Sequence, residues 1–101
     1  MVSLVQKNLE EIKSLFIKYG AVKAYLFGSA SNSVQLDKDS DIDFLFSFPI
    51  DMDYVTYADN YFNLVASLEK LLNRPVDLVA EKTLSNPYLI QSINKSKIQL
   101  L

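Results

Sequence analysis

The chain has 101 residues, a formal net charge of -2 and a pI near 4.9, and half of its residues are hydrophobic. That balance fits one folded domain spanning residues 1–101 rather than a disordered tail, and it gives no overall attraction for a long nucleic acid. With neither cysteine nor histidine, the chain has no disulfides, no thiolate or imidazole metal ligands and no histidine base, so carboxylates are left for acid–base and metal chemistry.

Residues 3 to 19 are expected to form one amphipathic helix. Val5, Leu9, Ile12, Phe16 and Tyr19 recur at alternating four- and three-residue steps and make one apolar stripe. Ser3 and Gln6 have the spacing of a capping box, and Gly20 can take the left-handed conformation that ends a helix. No apolar run reaches the roughly 20 residues needed to span a bilayer, and no charged-then-apolar leader opens the chain, so a cytoplasmic location is expected.

Ala21 to Phe27 is a short apolar strand running into Gly28-Ser29, and Ala30 to Asp39 is a polar loop, with room for a helical turn after Ser29. A second strand opens with Asp41-Ile42-Asp43. Side chains alternate along a strand, so Asp41 and Asp43 share one face, and Ile42, Phe44, Phe46 and Phe48 make an apolar face on the other. Asp37, Asp39 and Asp41 also match the first three ligand positions of a calcium loop. That reading fails, because Ile42 and Phe48 stand where the loop needs glycine and glutamate.

Asp53 is placed to cap a helix over about Tyr54 to Asn73, with a stripe of Tyr54, Ala58, Tyr61, Val65, Leu68 and Leu72 widened by Leu64 and Leu71. After Asn73-Arg74-Pro75, Val76 to Ala80 reads as a compact buried strand. Its single charge, Asp77, is costly there unless it is paired or bound to a cation, and Arg74 or a lysine would be the structural partner. Ser85-Asn86-Pro87 starts a further helix, and Ile98 to Leu101 is a short terminal strand.

Two carboxylates on one face repel each other unless a cation sits between them, and oxygen-only ligands suit Mg²⁺. The Gly28-Ser29 turn offers close backbone approach, N–H donors and a hydroxyl for a phosphate. Together these residues describe a metal-dependent nucleotide site. Gly28-Ser29, a polar loop, then Ser40-Asp41-x-Asp43 followed by Phe44-Leu45-Phe46 resembles the signature of the polymerase-β-type nucleotidyltransferases, and the short chain is most similar to the minimal nucleotidyltransferases (MNT proteins). The Asn86-Pro87-Tyr88-Leu89 helix and short terminal strand resemble the tail of that family.

The resemblance implies an α/β two-layer domain: a mixed sheet of three or four strands with helices covering one face. It implies that Asp41, Asp43 and Asp77 bind two Mg²⁺ ions and carry the catalysis, and that Gly28, Ser29 and Ser40 hold ATP. It further implies that AMP passes to a tyrosine of a HEPN toxin, in a hetero-oligomer in which this chain is the antitoxin. The family often carries Arg-Gly where Asn32 and Ser33 stand, and its loop to the aspartates is about one residue shorter. The alternatives are an antitoxin subunit that neutralises its partner by binding alone and a sensor that binds ATP without transferring it.

Overall fold

The computed structural model describes residues 1–32 and 40–101. The alternating run Ile42–Ser47 forms strand β2 inside a four-stranded sheet of order β3-β2-β1-β4, with β1 at Lys23–Phe27, β3 at Val76–Ala80 and β4 at Ile98–Gln99. β1 runs antiparallel to both β2 and β4, whereas β2 and β3 are parallel. A parallel step needs a crossover, and helix α4, Tyr54–Leu72, supplies it. The mixed sheet and its helices are the α/β architecture that the element order predicts.

The closed face holds the core. Ile42, Phe44 and Phe46 have no solvent exposure, and Ala24, Leu26 and Leu78 extend their surface across the sheet. Val5, Ile12 and Phe16 cover it from the N-terminal helices, and Leu64, Leu68 and Leu72 cover it from α4. Phe16 meets Phe44 edge to face with ring centroids 5.4 Å apart.

The N-terminal helix differs from its expected form. It is two helices, α1 at Ser3–Lys7 and α2 at Leu9–Lys18, which meet at Asn8 (φ -108°, ψ 13°). The Asn8 side chain turns back to donate to the Leu4 carbonyl oxygen at 2.9 Å, the kind of local bond by which asparagine competes with helix geometry. No capping box forms at Ser3. Val2 is the capping residue instead, because its side chain is buried and its N–H donates to the Ala30 carbonyl oxygen at 2.8 Å.

Three later expectations hold in detail. Asp53 caps α4 by accepting from the Thr56 N–H at 2.8 Å, and Asn73 closes the helix in the left-handed region. Asn86 caps α5, Pro87–Ser96, by accepting from the N–H groups of Tyr88 and Leu89. Gly20 takes φ +89° after α2. The stripe of α4 is rotated at its start: Tyr54 is 92% exposed and Ala58 is also exposed, and Tyr57 packs on the core in their place. On the opposite face of the sheet, Leu45 and Ile93 of α5 are buried apart from the main core. α3, Ser29–Asn32, is the helical turn after Ser29.

Candidate functional site

β1 ends where the site begins. Gly28 follows Phe27 with φ +73°, a left-handed conformation that favours glycine, and it turns the chain into α3. The turn is closed twice on the Gly28 carbonyl oxygen, by the Ser31 N–H at 3.1 Å and by the Ser31 hydroxyl at 2.7 Å. Ser29 is exposed at the first position of α3, and Ala30 beneath it is buried. A side chain at 28 would also force Asp43 to shift. A Cβ there would lie 2.6 Å from an Asp43 carboxylate oxygen, so the bare backbone of the turn rests against that carboxylate.

Asp43 is the second residue of β2, and sheet register aligns it with Phe27 of β1 on one side and Asp77 of β3 on the other. Side chains opposite one another in register share a face, so Asp43 and Asp77 stand side by side on the open face. Asp41 precedes the strand and is exposed. The Asp43 carboxyl is pushed up to about 6, first by partial burial and then by the negative charges of Asp77 and Asp41. The three carboxylates therefore form one electrostatic unit.

Asp77 is not in a buried strand. β3 is the edge of the sheet and Asp77 is exposed, so burial is not what makes its charge notable; its alignment with Asp43 is. Arg74, the structural partner expected for it, donates to the Ser40 carbonyl oxygen at 3.2 Å and ties that residue to the start of β3. The Ile42 N–H donates to the Pro75 carbonyl oxygen at 3.1 Å, a second tie at the same place.

Of the sequence-expected residues, Gly28, Asp43 and Asp77 converge directly, Asp41 adds its charge, Ser29 adjoins the turn, and Ser40 is half-buried beside Asp41. The loop residues 33–39, with Asp37, Asp39 and the altered position Ser33, lie outside the described residues. Sequence reasoning missed Ser31 and the Arg74 tie. A single serine carries no periodic signal, and the arginine beside Pro75 reads only as a break in the helix pattern.

The donor set suits a divalent ion. Every side-chain donor here is an oxygen, and the raised Asp43 carboxyl records partial burial and, after it, the charges of Asp77 and Asp41, which a hard cation would offset, so the residues fit Mg²⁺ by donor chemistry. Among the described residues, no three or more His, Cys, Asp or Glu side chains are grouped so that they could hold a metal ion. Also among them, no helix is long and apolar enough to cross a membrane.

The model of the family described as polymerase beta, nucleotidyltransferase, matches residues 10–101. Two proteins of Methanocaldococcus jannaschii, provisionally named protein adenylyltransferases, are each 34% identical to this chain over 91% of it and 97% of their own length. A structure provisionally described as a minimal nucleotidyltransferase superposes with a TM-score of 0.75 at 30% identity, covering 97% of this chain and 95% of the other. A toxin–antitoxin structure with AMP-PNP gives 0.71 at 27% identity, over 93% of this chain and 73% of that one. A structure of a tri-AMPylated Shewanella oneidensis HEPN toxin in complex with MNT antitoxin gives 0.66 at 26% identity, over 95% and 71%.

Proposed function

The chain belongs to the polymerase-β-type nucleotidyltransferase family, and from that premise we propose that it transfers AMP from ATP to a tyrosine hydroxyl of a HEPN-type partner. In this reading it is a cytoplasmic antitoxin acting in a hetero-oligomer, with residues 1–101 as one catalytic domain and the partner supplying the acceptor. The observation that carries the reading is the contact of the Gly28 turn with Asp43, whose register partner is Asp77. It puts a phosphate-binding type of turn against a carboxylate pair.

The reaction joins the tyrosine oxygen to the α-phosphorus and breaks the bond to the β-phosphate oxygen, so pyrophosphate leaves. Asp41 and Asp43, with Asp77 as a further ligand, would hold Mg²⁺, which when bound would supply charge neutralisation of the phosphates. The Gly28 N–H and Ser29 hydroxyl hold the β- and γ-phosphates and fix the line of attack, and Ser40 borders the nucleotide. Asp77, exposed on the edge strand, either completes that ligand set or takes the tyrosine proton.

The test is intact-mass measurement after incubation with ATP and Mg²⁺, with and without a co-expressed HEPN partner. One or more AMP increments on the partner are expected, lost in the Asp41→Asn, Asp43→Asn double variant. ATP binding without transfer in the full complex would replace this reading with the sensor; partner neutralisation without either would leave an antitoxin that acts by binding.

A further inference from the structure

β3 is held by the sheet on one side only. Parallel pairing directs alternate backbone groups of an edge strand away from the sheet, where they need other partners. In β3 side chains meet them. The Val76 N–H donates to Glu69 Oε2 of α4 at 3.0 Å, and the Leu78 carbonyl oxygen accepts from the Tyr61 hydroxyl of α4 at 3.1 Å. Further along, the Ala80 carbonyl oxygen accepts from the Thr83 hydroxyl at 2.8 Å. Val76 and Leu78 are the two neighbours of Asp77.

We infer that Tyr61 and Glu69 form a clamp on the backbone either side of Asp77 and are positioning residues for it. The clamp answers a mechanical problem. Asp77 and Asp43 are register partners of like charge, so repulsion acts to push the edge strand outward, and the sheet restrains it from one side alone. The two α4 side chains hold it from the other. Tyr61 is suited to this because its ring packs against those of Phe46 and Phe62, with centroids 5.9 and 5.3 Å away, which restrains the direction of its hydroxyl. The clamp concerns how Asp77 is held; its kinetic consequence rests on the function proposed above.

Three variants separate the clamp from packing. Tyr61→Phe keeps the ring and removes the hydroxyl, Glu69→Ala removes the acceptor, and Glu69→Gln keeps an acceptor oxygen. Amide hydrogen exchange is measured on the free chain, and kcat and KM on the complex with its partner. Tyr61→Phe and Glu69→Ala should each speed exchange at Asp77 and Val79, whose amides face β2, about five-fold, as loss of one hydrogen bond does, with β1 unchanged. They should lower kcat roughly ten-fold and leave KM for ATP within about two-fold, because the phosphate turn is untouched. Glu69→Gln should restore both.

Unchanged β3 exchange in the first two variants overturns the clamp. Faster exchange with kcat unchanged overturns its positioning role. If the wild-type complex transfers nothing, the functional reading fails by itself, and the exchange measurement alone decides whether the clamp exists.

Discussion

Along β2, Ile42, Phe44 and Phe46 have no solvent exposure on one side, whereas Asp43 and Ser47 on the other stay half-buried and only Leu45, which lines a cavity with Ile90 and Ile93 of α5, is buried. The two faces share one backbone and are separated by a single step in the alternation. The closed face is redundant: three side chains contribute to one core, and several helices bear on it. The open face is specific, because Asp43 touches the Gly28 turn and aligns with Asp77, and no second residue could take its place. Damage to the closed face should therefore appear as instability, and damage to the open face as lost chemistry.

The largest expected effects draw that contrast directly. Phe44→Ala removes a buried ring that meets Phe16, and it should cost about 3–5 kcal/mol in denaturant unfolding while the folded fraction keeps its transfer rate. Asp77→Asn keeps the shape and removes the charge. It should lower AMP transfer about 10²–10⁴-fold and move stability by less than about 0.5 kcal/mol, since the residue is exposed. A destabilised but fully active Asp77→Asn protein would put Asp77 on the structural side of the comparison and out of the site.

The same contrast explains what could be read in advance. The closed face was legible because period-two alternation bounded by Gly28 and Pro49 leaves few other folds for Ile42, Phe44 and Phe46. Asp53 and Asn86 were legible as caps because their chemistry is local. The break at Asn8 was not, since the apolar stripe runs through it unbroken and only the side-chain bond to Leu4 ends α1. Tyr54 and Ala58 had the right spacing and the wrong rotation, which the Asp53 cap and the packing of Tyr57 decide together. Asp77 was singled out by an argument from burial, yet β3 is an edge strand; what places Asp77 is pairing with β2, a relation between segments that periodicity does not carry.

Two glycines sharpen the comparison at intermediate size. Gly20 and Gly28 both have positive φ, +89° and +73°, so alanine should cost about 1–2 kcal/mol at either from backbone conformation. Their surroundings differ. A Cβ at 20 would meet the flexible end of Met52 at 3.3 Å, while one at 28 would meet an Asp43 carboxylate oxygen at 2.6 Å. Gly20→Ala should thus lose stability and keep its specific activity. Gly28→Ala should lose a similar amount of stability and, by displacing Asp43, roughly 10²-fold or more in transfer. Equal activity in the two variants would separate the Gly28 turn from the chemistry.

The smallest effect expected is a gain in stability from damaging the open face, and it depends on pH. Because the Asp43 carboxyl sits at about 6 in the folded protein, the folded chain holds this proton more tightly than the unfolded chain does. Its stabilising contribution is complete below the ordinary carboxylate range near pH 4 and is lost as pH rises through about 6. At pH 7.5 the native protein carries a crowded charge that Asp43→Asn lacks. The variant should then be more stable by roughly 1 kcal/mol, a figure kept low because a half-exposed carboxylate is screened by solvent. The advantage should shrink towards zero as the pH approaches 4. Mg²⁺ at pH 7.5 should raise the melting temperature of the native chain and leave the variant nearly unchanged, since an ion bound only by the folded state stabilises by mass action. Thermal melts across this pH range, with and without the ion, read both effects. A stability difference that does not vary with pH would mean that the folded chain does not raise the Asp43 carboxyl, by partial burial or by the charges of Asp77 and Asp41, and that Asp43 is not different in kind from the residues on the closed face.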